Sequence, residues 1–354
     1  MTGNIETVGA ETAMKKEKEG LAGLAGRFGL LGLLVILWIF FSIMRPESFA
    51  TIDNFRLILD QKTLVVLLAF AAMMPLIIGR FDLSVAAMMS FSNVLVVGLI
   101  VKQGLPAWAA ILIAIGVSAF LGLVNGAIVV RFKVDAFVAT LGTSSIIDGI
   151  ANAYSGGRAI QDLEGKIPKG FNDITREQFL GIPQAVLIVG VIAVIVGIVL
   201  SALPVGRRMY ATGGNERAAQ LTGIATNRYV IGSFVAAGLL AGIAGVLSGS
   251  RLGTATPGSS GSMLLPAFAG AFLGATTIRP GRFNVLGAII AVYMLAVAVS
   301  GLQQMTAPIW LREGFNGTAL VVAVAASQWA LSRRRARARQ KEIAALDDAQ
   351  SSGQ

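Results

Sequence analysis

YVIGSFVAAGLLAGIAGVLSGS, residues 229–250, runs from Arg228 to Arg251 without a charge. About 20 mostly apolar residues cross a hydrocarbon core as a helix, so this stretch is long enough to do so alone. Gly238, Gly242, Gly245 and Gly249 recur within it at three- and four-residue steps, which gathers them on one face where a neighbouring backbone can come close. Outward from it, further apolar runs lie at about 28–44, 63–78, 85–101, 107–130, 135–153, 183–203, 263–278, 285–302 and 314–331. Together they predict an all-α membrane protein, a polytopic bundle of about ten transmembrane helices. Gly122 with Gly126, and Gly270 with Gly274, repeat the small-residue spacing and predict further close helix contacts.

Composition agrees with this reading. The chain is 55% hydrophobic and 14% charged, with a mean hydropathy of +0.74, whereas an ordinary soluble domain is roughly 25% charged. Cysteine and histidine are absent, which removes thiol nucleophiles, disulfides, the usual zinc sites and imidazole proton relays. No catalytic residue and no metal ligand is therefore assigned. Nor is there a phosphate loop of the form G-x-x-x-x-G-K-[ST]: the Gly165-Lys166 pair is followed by Ile167, so the sequence predicts no ATP site or other cofactor site in this chain. A net charge of +10 does not argue for nucleic acid, because the cations sit between and beyond the apolar runs, where they act as topology signals.

With the amino terminus inside, ten spans place 19 of the 29 Lys and Arg residues in the cytoplasm and 10 outside, so both termini are expected to be cytoplasmic. Residues 1–27 form a cytoplasmic tail that lacks the small-residue cleavage pattern of a secretory signal, and the first span is expected to be retained. Residues 28–331 make the transmembrane domain. Within it, 155–182 is polar with balanced charge and reads as a periplasmic loop, whereas 204–228 carries Arg207, Arg208, Arg217 and Arg228 and reads as a cytoplasmic one. The tail 332–354 turns from basic to polar, either an anchor or a contact for anionic membrane lipids. In the fifth run, Thr140, Ser144, Asp148 and Asn152 fall at four-residue spacing and predict a polar stripe facing the bundle interior.

The cytoplasmic loop holds a short helix legible from its own chemistry. Gly213 and Gly214 precede Asn215, which can cap the helix; Glu216 complements its positive end; Arg217, Ala218 and Ala219 fill it; Gly223 can close it. Such an element is either a rigid lever between subunits or a capped connector.

Four stretches carry a resemblance over about 66–326: Gly79-Arg80-Phe81-Asp82-Leu83-Ser84-Val85; Val124-Asn125-Gly126 with Phe137-Val138-Ala139-Thr140-Leu141-Gly142-Thr143; the loop from Gly206 to Ile224; and Leu265 to Gly287. In these the chain resembles the ribose/xylose/arabinose-type sugar permeases of the ABC transporter superfamily. The resemblance implies a bacterial inner-membrane location and import of a monosaccharide, a polyol or another small polar solute. It also implies a separate ATPase subunit holding ATP and Mg, a periplasmic solute-binding protein and a second copy of the permease. By the same resemblance, Gly213 to Ala219 with Gly223 form the coupling region that docks on the ATPase. The chain departs from the family where Arg80 and Phe81 replace a glycine and an isoleucine, where Asp135 replaces a common proline, and where Met263 to Pro266 replace acidic residues.

Charge at membrane depth is costly and marks functional candidates. Asp82, with Ser84, sits at a short turn where it can cap the third span; Asp148 lies on the polar stripe, positioned for a solute hydroxyl or for a neighbouring helix. Asn125, Thr140, Thr143, Ser144, Asp148 and Asn316 are the candidate pathway walls, each with a helix-to-helix hydrogen bond as its alternative role. An ion-coupled secondary carrier using Asp82 and Asp148 is the competing reading.

Overall fold

In the computed structural model, which describes residues 27–306, 308, 310–311 and 314–325, each apolar run falls on a helix. The helices are α1 (Arg27–Met44), α2 (Ile52–Ile77), α3 (Val85–Val101), α4 (Ala107–Arg131), α5 (Ala136–Ser155), α6 (Lys169–Arg176), α7 (Gln184–Ser201), α8 (Pro204–Gly214), α9 (Glu216–Leu221), α10 (Thr226–Leu252), α11 (Gly261–Gly274), α12 (Val285–Gln304) and α13 (Gly314–Ala325). Among the described residues, α1, α2, α4, α7, α10 and α12 are long and apolar enough to cross a membrane. Helices α3, α11 and α13 are shorter apolar helices, and α5 is diluted by its polar stripe. The expected tail at 1–27, apart from Arg27, which already begins α1, and the expected tail at 332–354, together with Arg312 and residues 326–331, lie outside the described residues.

Helix α3 is apolar but for Ser90, Ser92 and Asn93 and is buried along nearly its whole length, as a helix at the centre of a bundle is. Against it pack α10, α4 and α5; the apolar stretches of α2 and α10 are mostly buried, whereas α1, α4 and α7 keep broad apolar faces outward, as lipid requires. The glycine row of α10 divides between two neighbours. Gly238 and Gly242 lie against Ser118 of α4, and Gly245 and Gly249 lie against Ser92 and Asn93 of α3. A Cβ at Gly238 would run into the Ser118 carbonyl oxygen, whereas one at Gly232 would meet nothing within 4 Å. Gly238→Ala is therefore expected to cost about 1–3 kcal/mol through overpacking, read as a lower melting temperature in detergent. Gly232→Ala should leave that temperature unchanged.

Helix α2 begins at Ile52, well before the apolar run expected at 63–78. Thr51 Oγ1 accepts from the Asn54 amide at 3.1 Å and caps the helix. Its first turns then carry Asp60 inward to accept from Arg251 Nη2 at the end of α10, 2.8 Å away, and the same guanidinium donates to Thr63 Oγ1 at 2.9 Å. A count of apolar residues stops at the first charge; a cap and a paired charge carry the helix past it.

The loop 155–182 is built rather than merely polar. The strand β1 (Ile160–Gln161) pairs antiparallel with β4 (Thr254–Ala255), and β2 (Gln178–Phe179) pairs with β3 (Ile182–Pro183) across Leu180 and Gly181, both at positive φ as a tight hairpin turn requires. Helix α6 inserts Phe171 into the core end of α3 and α10; Ser250 Oγ donates to the Phe171 carbonyl at 2.6 Å, and Arg176 Nε donates to the Arg251 carbonyl at 3.0 Å. At the opposite end, Thr277 Oγ1 donates to the Arg27 carbonyl at 2.8 Å, and Arg80 meets Glu216.

Candidate functional site

The short helix expected in the 204–228 loop is α9. Asn215 caps it, Oδ1 accepting from the Ala218 amide at 3.0 Å. It closes at Gly223, whose φ of +80° is the left-handed turn that glycine adopts without strain. Ahead of it the structure adds a helix in a stretch that the sequence reads as loop: α8, started by Pro204 at its first position. Helix α8 sits directly beneath the end of α2, because a Cβ at Gly213 would run into the Ile77 carbonyl. Ala219 is the buried side of α9. Its outward side shows Arg217, Ala218 and above all Leu221, 84% exposed. The sequence points to Arg217 and Ala218 but not to Leu221.

Inward, α9 is tied to the turn between α2 and α3. Glu216 accepts from Arg80 Nη2 at 3.1 Å. The pair lies in a cleft of about 520 Å³ shared with Lys133 and Asp135 at the junction of α4 and α5. Arg80, which in the sequence is only a departure from the family pattern, thereby links α9 to the α2–α3 turn.

Two residues beyond Arg80, four side chains converge. Asp82 Oδ1 accepts from the Ser84 amide at 3.0 Å and from the Ser84 hydroxyl; Asn125 Nδ2 of α4 donates to Ser84 Oγ at 2.8 Å. Thr140 Oγ1 of α5 accepts from the Leu83 amide at 3.0 Å and donates to the Ala136 carbonyl at 2.8 Å. All four are buried, at 0%, 0%, 1% and 0% exposure for Asp82, Ser84, Asn125 and Thr140. In the chain Asn125 to Ser84 to Asp82 each donor is polarised by the next acceptor and the series ends on a carboxylate, the arrangement that strengthens a buried network. Asp82 Oδ2 has no partner among the described residues, and burial pushes the Asp82 carboxyl up to about 6 against the pull of its Ser84 hydrogen bonds. Asp82, Ser84, Asn125 and Thr140 therefore form one node that pins α4 and α5 to the α2–α3 turn.

The remaining candidates do not join them. Thr143, Ser144 and Asp148 are half-buried on α5, and Asn152 is exposed. A four-residue repeat advances about 40° per step around a helix of 3.6 residues per turn. The stripe expected to face the interior thus drifts out of it, and only its first member, Thr140, is in the core. The buried line of α5 is instead Ala136, Thr140, Ile147 and Ala151. Asn316 lies elsewhere, in a cleft of about 270 Å³ near the Asp60–Arg251 end, together with Gln61, Lys62, Ser262 and Gln303. A larger cleft of about 780 Å³ between α2, α7 and the β2–β3 hairpin is walled by apolar side chains and Arg56, and offers a polar solute few partners.

Residues 55–324 match the family model described as branched-chain amino acid transport system, permease component. The chain is 34% identical to the ribose import permease protein of Bacillus subtilis, over 81% of this chain and 88% of that one. It is 30% identical to the L-arabinose ABC transporter permease protein of Azospirillum brasilense, over 82% and 84%. With the D-allose transport system permease protein of Escherichia coli it shares 27% over 80% and 86%. No solved structure matches the chain.

Proposed function

The chain belongs to the permease-component family of branched-chain amino acid transport systems, and from that premise we propose that it is the membrane subunit of an ATP-driven importer of a monosaccharide. It is a transport subunit, not an enzyme, and a multi-pass protein of the inner membrane. The observation that carries the reading is α9: a helix with its own cap and stop, a bare leucine outward and an ion pair inward, at the loop where an energy-supplying subunit would dock.

Several parts of the arrangement are proposals. All ten apolar helices span, with both termini in the cytoplasm, so that α9 faces the compartment that holds ATP. ATP and Mg bind on a separate ATPase, and Leu221, with Arg217 and Ala218 beside it, seats in that subunit. A periplasmic binding protein delivers the solute to the opposite end. Two copies of the chain form the pathway. The half-buried Thr143, Ser144 and Asp148, flanked by exposed Leu141, Ile146 and Ile150, support this, since they make a mixed polar and apolar face that one chain leaves uncovered. Gln61, Ser262, Gln303 and Asn316 offer hydroxyl-matching polar groups at the outer end. In this reading Asn125 and Thr140 hold helices together rather than line the path.

Proteoliposomes containing the chain, its ATPase and its binding protein, loaded with labelled sugars and polyols, give the decisive test. Uptake should require internal ATP and the binding protein together. Uptake driven by an ion gradient with no ATPase would overturn the reading. Leu221→Asp is expected to abolish co-purification of the ATPase while leaving the melting temperature of the permease unchanged, because that side chain is already in water.

A further inference from the structure

Residues 178–312 contain one acidic residue, Glu216, and it is engaged by Arg80. The same stretch contains Arg207, Arg208, Arg279 and Arg282 at the α9 end of the bundle, and none of them has an ion pair to a carboxylate among the described residues. Among the described residues, no carboxylate supplies counter-charge to this corner. A cleft of about 340 Å³ opens there between α7, α8 and the start of α12. Its depth and its lip differ in chemistry. Val194, Ile198 and Leu286 wall it and are 61%, 50% and 60% exposed, so its apolar side opens where lipid chains lie. Tyr210, Arg279 and Asn284 make the lip, and no carboxylate among the described residues lines the cleft.

The lip is built in advance. Asn284 Nδ2 donates to the carbonyls of Gly274, Thr277 and Arg282 at 3.0, 3.1 and 3.1 Å, fixing the turn that carries both arginines. Ile278 turns the chain at a φ of +59° just before Arg279. Tyr210 donates its hydroxyl to the Phe283 carbonyl, and the Arg282 guanidinium lies 5.2 Å over the same ring. The depth of the cleft is also set at the right level. Thr277 is bonded to Arg27, the first residue of the lipid-facing span α1, while α7 ends and α12 begins at the cleft, so the lip is at headgroup height.

An apolar slot open to lipid, under a prebuilt cationic rim that no acid among the described residues neutralises, has the polarity of an anionic phospholipid. We propose that the cleft between α7, α8 and α12 is a binding site for an anionic phospholipid of the leaflet on the α9 side. Its phosphate sits on Arg279 with Arg282 and Tyr210 beside it, and one acyl chain lies along Val194, Ile198 and Leu286. Because the lip includes α8, which leads directly into α9, the lipid would brace the docking helix from behind.

The test is native mass spectrometry of the full chain in detergent with equal amounts of phosphatidylglycerol and phosphatidylcholine. The wild type should retain phosphatidylglycerol in preference. The double variant Arg279→Ala with Arg282→Ala should lower that retention about tenfold. Leu286→Trp, which fills the slot and keeps both arginines, should lower it as well; Arg228→Ala, at the same end but outside the cleft, should not. Melting temperatures of all variants report that they fold. Equal retention of the two lipids would overturn the proposal, as would displacement of the lipid by inorganic phosphate alone, which would leave an anion rim without a lipid slot. Cross-linking of a cysteine placed at 286 to its counterpart in a second copy, undiminished by added phosphatidylglycerol, would assign the cleft to an interface between chains and also overturn it.

Discussion

Glu216→Arg is expected to lower ATP-driven uptake about tenfold or more, and adding Arg80→Glu to the same chain is expected to restore most of it. In the native pair the two side chains are 36% and 37% exposed at 3.1 Å. A pair so wet contributes only about 0–1 kcal/mol to stability, so neither variant should melt much below the wild type. Its value is geometric. Glu216 is on α9, Arg80 is two residues from Asp82, and Asp82 belongs to the node that holds α4 and α5. In the proposed coupling, a push on α9 would reach α4, α5 and the α2–α3 turn through this one contact. Two arginines facing each other would spring that contact open, and a loss of about 1.4 kcal/mol in the coupled step is already tenfold in rate. The measurement is uptake beside the ATPase rate of the same complexes. If Glu216→Arg hydrolyses ATP without uptake and the swap recouples them, the pair transmits. Unchanged uptake in Glu216→Arg would remove the pair from the coupling path.

Much of this arrangement is legible in the sequence because its determinants are local. The caps of α9 are Asn215 and Gly223, read from spacing and found in place, since a cap involves only the residues within one turn of it. The apolar runs fall on helices for the same reason. The glycine row of α10 is legible as a close contact but not as two contacts, because which neighbour each glycine meets depends on how α3 and α4 cross it. The start of α2 is hidden by Arg56 and Asp60; the inward place of Asp60 depends on Arg251, far away in the chain.

The candidate site is less legible, and the reason is again distance in sequence. Asp82 and Ser84 read as a turn, Asn125 and Thr140 as a pathway wall; their convergence on one node joins α4 and α5 to residues 82–84, which no periodicity displays. Thr140, Ser144, Asp148 and Asn152 form a stripe on paper, but the helix carries the later members outward, so counting by fours overstates their common direction. Arg80 looks like an oddity until Glu216 is found opposite it. Leu221 gives no signal beyond being the last apolar residue before Thr222 and Gly223, since exposure is not written in a residue type.

Asp82 should make the protein less stable as the pH rises through about 6, and Asp82→Asn should flatten that profile. The carboxyl is fully buried, one oxygen has no partner among the described residues, and burial raises its pKa from 3.8 to about 6. The proton is therefore held more tightly in the folded protein than in the unfolded chain. Its stabilising contribution is complete below about 3.8 and is lost as the pH climbs past about 6. A carboxyl that binds its proton roughly a hundredfold more tightly when folded contributes about 3 kcal/mol. Asparagine keeps an acceptor for the Ser84 amide and hydroxyl and carries no charge, so its melting temperature should lack this slope while uptake persists. Persistence matters more than the slope: an ion-coupled carrier using Asp82 would lose transport on losing the charge, whereas a node that only holds helices would not. Thr140→Val gives the complementary result. It is nearly isosteric, but it leaves the Leu83 amide without its acceptor, at a cost of about 1–3 kcal/mol with no change in pH profile. If Asp82→Asn abolished uptake while melting like the wild type, the node would be part of the transport chemistry and not only its frame.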